Sequence, residues 1–271
     1  MAWRLLDFQK HTIFENMAID EAILRETTNN NQQPTIRFYA STPAAVTIGY
    51  FQDAEKELNT ERCNAEKIDI ARRITGGRAV FHVDEMTYAI TAAHHEQTFP
   101  SDILGTYKLI SRCLARGLHH LGINACLAEE GRGLRHEETN ACCFSTSLKN
   151  ELLVNGRKIC GSAQVRKRGG FLQHGLMLLD FNPERTAGIL LQNVTPEQTT
   201  KLSRSITSVN EELAVPVNEK DLCSALKQAF IEELGINLKE GELTPEEEKL
   251  KNDLMKKYTD TDWNIKRKKY F

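Results

Sequence analysis

The chain lacks any apolar run approaching the roughly 18 residues that cross a bilayer, so no membrane-spanning segment is expected. It has no excess of either charge, with 35 Lys and Arg against 37 Asp and Glu. That removes any global argument for nucleic acid and leaves only local basic patches to consider. It has no Cys-x-x-Cys pair, and its 7 cysteines are an odd number, so neither a disulfide framework nor a zinc site is suggested. No internal repeat or low-complexity tract is present. The opening stretch, MAWRLLDFQKHTIFENMAIDEAI, does not read as a secretory signal, because Arg4, Asp7, Lys10 and His11 break any apolar run. A cytoplasmic protein with reduced thiols is the expectation. At 271 residues it forms one large or two small domains and buries a core without disulfide staples.

What is there alternates between helical and strand patterns. ENMAIDEAILRE reads as a helix, TIRFYA and AAVTIGYF as strands around a Ser41-Thr42-Pro43 turn. Residues 54–67 are charged and helical; IDIARRI, RAVFHV and MTYAITAA follow as strands. From 101 to 122, apolar residues recur three or four apart behind Ser101 as N-cap, and Gly122 closes the helix. A polar loop is expected over 128–140. Asn155-Gly156 predicts a two-residue hairpin, Lys167-Arg168-Gly169-Gly170 the next turn, and FLQHGLMLLD a further strand. Residues 183–250 read as mainly helix and loop, and Thr244-Pro245 opens a last helix. The fold class is therefore α+β, with mixed, mostly antiparallel sheets flanked by helices.

Three stretches can carry chemistry. In RRITGGRAVFH, Gly76 and Gly77 leave the backbone bare for close approach, and Arg72, Arg73 and Arg78 frame the spot with positive charge. An acidic or phosphate-bearing ligand fits, as does a plain hairpin turn with solvated arginines; His82 is open in the same way. In GRKICGSAQ, the hairpin pairs Leu153 with Lys158, which puts Lys158 on one face with Glu151, Leu153 and Cys160. A lysine there either snorkels or acts as a base or local cation. In ACCF, Cys142 and Cys143 point to opposite faces if the segment is extended, so only one reaches a given pocket. A free thiol near pH 7 is only a few per cent thiolate, and a nearby ammonium raises that fraction. Cys143 and Lys158 meet only if the chain turns back around Ser145-Thr146-Ser147.

These stretches, in order, resemble the biotin/lipoate protein ligase and acyltransferase family over nearly the whole chain. RRITGGRAVFH is similar to its arginine-pair, glycine-rich, strand and histidine motif. GRKICGSAQ with FLQHGLMLLD looks like its lysine segment and companion strand, and ENMAIDEAI and RFYASTPAAVTIGYFQ like its opening helix and first strands. Within the family, ACCFSTSLKNELLVNGRKICGSAQ resembles the cysteine-dependent octanoyltransferases of lipoate assembly. The resemblance implies a catalytic domain over 1–241 with a helical extension over 242–271 packed on it. It implies Cys143 as nucleophile and Lys158 as the cation that lowers the thiol's pKa. It implies substrate binding by Arg73, Gly76, Gly77, Arg78 and His82, by Gly161, Ser162 and Ala163, and by His174. The implied reaction moves octanoyl from octanoyl-acyl carrier protein to a lysine of the glycine-cleavage H protein or another lipoyl domain. It needs no cofactor, metal, nucleic acid or membrane. An ATP-dependent lipoate ligase, an amidotransferase between lipoyl domains and a non-catalytic acyl-binding module are the alternatives. Arg78 stands where the family's ligases carry a third glycine, which counts against the ligase.

Overall fold

Short-range signals place most elements of this computed structural model, which describes residues 2–30, 33–128, 151–167 and 169–268. The strands are β1 (Ala2–His11), β2 (Thr35–Ser41), β3 (Ala45–Ile48), β4 (Asp69–Arg72), β5 (Val80–His82), β6 (Glu85–Ala93), β7 (Cys126–Leu127), β8 (Leu152–Val154), β9 (Arg157–Lys167), β10 (Gly170–Leu178) and β11 (Asn237–Glu240). The helices are α1 (Ile13–Asn30), α2 (Ala54–Glu57), α3 (Thr60–Ala65), α4 (Ile103–His120), α5 (Pro183–Leu190), α6 (Pro196–Ser205), α7 (Glu219–Leu234), α8 (Pro245–Tyr258) and α9 (Thr261–Asn264). Asn155 and Gly156 both take positive φ, 51° and 79°, as the two-residue turn between β8 and β9 requires. Thr244 caps α8 in a capping box with Glu247. The cap of α4 is Asp102 rather than the expected Ser101, its carboxylate accepting from the Gly105 amide at 2.7 Å.

Among the described residues, one sheet runs β11-β1-β2-β6-β10-β9-β8-β7 and a second runs β4-β3-β5. The first is parallel at β11-β1-β2 and antiparallel from β2 onward, so the mixed, mostly antiparallel class holds. Alternation splits its side chains cleanly. Ile36, Phe38, Met86, Tyr88 and Phe171 face α4 and α7, where Ile110, Leu114, Leu226 and Phe230 complete the main core. Gly117 lets these two helices touch; a Cβ there would sit 2.5 Å from Leu226 Cδ2. Tyr39, Ala89 and Leu172 face the other way, onto α1 with α8 behind it. The small sheet, with α5 and α6, packs on Leu176 and Leu178 on this same side.

Helix α8 lies over α1, and α9 packs against β4. Arg4 on β1 forms a buried bidentate pair with Glu247 on α8, both contacts 2.6 Å, and Lys257 reaches Glu21 on α1 at 2.6 Å. Arg72 is fully buried and donates to the carbonyls of Trp263 and Ile265 at one end and of Gly49, Tyr50 and Gln52 at the other. Its guanidinium is thus spent on main chain and does not frame the glycine turn as an anion site.

Candidate active site

Where the small sheet meets the α1 side of the large one, a pocket opens with about 410 Å³ of empty space, part of it open solvent. Its walls draw on Met17 of α1, Tyr39 of β2, Thr47 of β3, His82 of β5, Thr87 of β6 and His174 and Leu176 of β10. Arg73, Val80 and the Gly161–Ala163 segment of β9 complete it. Of the residues expected from sequence, Arg73, His82, Gly161, Ser162, Ala163 and His174 come together here. Gly76, Gly77, Arg78 and Lys158 are not among the lining residues.

The glycine turn borders the pocket. Gly77 has φ +90°, and a Cβ built on it would approach Ala163 to 3.6 Å. It also presses on Gly49, where any Cβ would sit 1.9 Å from the Gly77 carbonyl oxygen. Arg73 holds the turn from inside. Its Nη2 donates to the carbonyls of Gly76 at 2.9 Å and Arg78 at 2.6 Å, and its Nε and Nη1 reach the hydroxyls of Thr75 and Thr47, both at 3.1 Å.

Both histidines of the pocket are paired with carboxylates. His82 Nδ1 lies 3.2 Å from Glu85 Oε1 and its Nε2 2.9 Å from Thr47 Oγ1. His174 Nδ1 lies 3.1 Å from Asp20 Oδ2 and its Nε2 2.8 Å from Thr75 Oγ1. Burial pushes the His174 imidazole below its ordinary value, and the bond to Asp20 opposes this without reversing it. Burial also pushes the Asp20 carboxyl up, but the His174 hydrogen bond and the Arg37 charge outweigh it and hold Asp20 below the usual carboxylate range.

Lys158 is buried, and its ammonium pairs with the Glu151 carboxylate. Leu153 pairs with Lys158 as expected, but Leu152 pairs with Cys160, so Ile159 is an extra residue bulged from the ladder. The bulge turns Cys160 into the α4 core with Leu152 and leaves Lys158 facing the pocket side with Leu153. The expectation that Lys158 and Cys160 share a face is therefore corrected. Cys142 and Cys143 lie outside the described residues. Burial pushes the thiol of Cys63 up to about 11 and those of Cys160 and Cys223 up to about 12; Cys113 is raised as well. These four are inert packing thiols near neutral pH.

Sequence reading missed Asp20, Thr47, Thr75 and Glu85. Nothing in the sequence singled out Asp20, which the structure buries in a helix whose residues 16–24 are all buried, nor the threonines and the strand glutamate. Arg166 donates to the carbonyls of Ser101 and Asp102 and the hydroxyl of Thr106, tying β9 to the start of α4.

Comparison with known proteins bears on this arrangement. The model of the lipoyl protein ligase A/B catalytic domain matches residues 12–231. The chain belongs to that family. Octanoyltransferase LipM of Kyrpidia tusciae is 37% identical, over 98% of this chain and 99% of its own. A crystal structure of lipoate-protein ligase A bound with ATP aligns at TM-score 0.81 and 27% identity, over 98% of this chain and 99% of that one. A chain from the structural analysis of a bi-partite lipoate protein ligase and its E2 lipoyl domain from Thermoplasma acidophilum aligns at 0.83 and 25%, over 100% of this chain and 98% of that one. Within the lipoyl ligase family the octanoyltransferase relatives make this chain an acyltransferase enzyme. No described helix is long and apolar enough to cross a membrane.

Proposed function

We propose that this protein is a cysteine-dependent octanoyltransferase of lipoate assembly. It takes octanoyl from octanoyl-acyl carrier protein and passes it to a lysine of the glycine-cleavage H protein or another lipoyl domain. The observation that carries the reading is the pocket, which gathers Arg73, His82, Gly161–Ala163 and His174 beside apolar Met17, Val80 and Leu176, in a chain 37% identical to an octanoyltransferase over 98% of its length.

In the first step the Cys143 thiolate attacks the donor's thioester carbon. The tetrahedral adduct collapses, the phosphopantetheine sulfur leaves and takes a proton, and octanoyl-Cys143 remains. In the second step a neutral lysine ε-amine of the acceptor attacks that thioester. The amine loses a proton, the Cys143 sulfur leaves, and the product is an octanoyl amide. Thioester to amide runs downhill, so neither ATP, metal nor resident cofactor enters. Lys158 offsets the charge on sulfur and assists proton movement as each adduct forms and collapses; the pocket takes the eight-carbon chain. We place the enzyme in the cytoplasm and read residues 1–241 as its catalytic domain, with 242–271 as an extension.

The ATP-bound neighbour supports a second reading, an ATP-dependent lipoate ligase. Intact mass separates them. The chain mixed with octanoyl-acyl carrier protein gains one octanoyl group in the absence of ATP. Lipoyl-domain product formed from ATP and free lipoate, with no carrier protein, would reject the transferase.

A further inference from the structure

The two histidines of the pocket occupy matching circuits that close on one guanidinium. A carboxylate accepts at each Nδ1, so each Nδ1 carries a hydrogen. Glu85 is already an acceptor for the Ser41 amide and the Thr87 hydroxyl, and Asp20 for Arg37 and Tyr39. On the other side each Nε2 meets a threonine oxygen, Thr47 for His82 and Thr75 for His174. Both of those oxygens also receive an N–H from Arg73, and a guanidinium can only donate. Each threonine has one hydrogen, and the acceptor in reach is the imidazole Nε2. A neutral ring takes that hydrogen and every group is satisfied. A protonated ring would place Nε2–H against the threonine, orphan the threonine hydrogen in a buried site, and add a cation beside Arg73.

We propose that His82 and His174 are positioning residues: as neutral rings they hold Thr47 and Thr75, which clamp Arg73, which in turn holds the Gly76–Arg78 turn against the acyl pocket. This rests on the acyl-transfer reading for its effect on rate. The histidines exchange no proton with substrate. Around His82 stand Arg73, Thr47, Glu85, Thr87 and His174; around His174 stand Asp20 with its partner Arg37, Tyr39, Thr75, Arg73 and His82.

Glutamine spans the same two partners, its amide N–H to the carboxylate and its oxygen to the threonine hydroxyl. His82→Gln and His174→Gln should therefore raise KM less than the corresponding leucine variants do. His82→Leu should raise KM at every pH. If His82→Gln lost the about 10²–10⁴-fold that removal of a general base costs, the ring would be a proton carrier and the proposal would fail. Thr47→Val and Thr47→Ser test the clamp from its far end without touching a ring. Amide hydrogen exchange at Gly76–Arg78 should quicken in Thr47→Val and stay unchanged in Thr47→Ser; equal exchange in the two variants would overturn the clamp. A wild-type chain that acquires no octanoyl group would sink the transfer reading alone, because the exchange measurement judges the clamp without any substrate.

Discussion

Both faces of the large sheet bury apolar clusters, but only one of them also buries a set of paired charges. The face toward α4 and α7 is filled by Trp3, Phe38, Ile90, Leu114 and Phe230, whose contribution is area removed from water. The face toward α1 buries Arg4, Asp20, Glu21, Arg37, His174 and Glu247, each held by a charged or hydrogen-bonded partner. A buried ion pair contributes little net stability over an apolar substitute, yet removing one partner is costly. Apolar burial therefore supplies stability on both faces, while the paired charges fix geometry on the α1 side, where the pocket lies.

Truncating the apolar side should give the largest loss. Phe230→Ala, which removes a ring 6.4 Å from that of Phe38, is expected to cost about 4 kcal/mol in urea unfolding, with transfer activity per folded molecule retained. Glu247→Gln should cost somewhat less, about 3 kcal/mol, because Arg4 keeps one acceptor but loses its counter-charge; calorimetry would show it as a lowered Tm. Equal tolerance of the two changes would erase the contrast between the faces.

Acid should act on the charged face alone. The folded value of His174 lies below its ordinary 6.5, so the unfolded chain protonates first as pH falls. The stability this ring contributes is complete above about pH 6.5 and is lost below it. Asp20 and Glu21, both held below the usual carboxylate range, contribute stability that is present above about pH 4 and is lost as pH falls further. Tm should accordingly drop between pH 7 and 5, with a shallower slope in His174→Gln; an unchanged slope would move the titration elsewhere. The smallest expected effect is none: Cys113, Cys160 and Cys223, packed in the apolar core, should stay unalkylated in the folded protein at pH 7.5, as read by peptide mass.

The contrast also explains what the sequence made legible. Local chemistry marked the Asn155-Gly156 hairpin, the Thr244-Pro245 helix start and the Gly77 turn, because each is decided by a few adjacent residues. Strand β1 gave no alternating signal: Arg4 sits buried between Trp3 and Leu5 because its partner, Glu247, lies at the far end of the chain. Strand β11 is four residues long and joins β1 only through tertiary structure. In the site, family likeness named Arg73, His82 and His174, whereas Thr47, Thr75, Asp20 and Glu85 acquire their meaning only when five separate segments meet. The bulge at Ile159, which separates Lys158 from Cys160, is likewise set by pairing with β8 and not by the residues of β9 alone.

The most direct test concerns the sulfur that carries the acyl group. Wild type and Cys143→Ala, each incubated with octanoyl-acyl carrier protein and digested, should differ in one peptide: octanoyl on Cys143 in the first, and no acylated peptide in the second. Octanoyl found on another residue, or adduct formation undiminished in Cys143→Ala, would contradict the account.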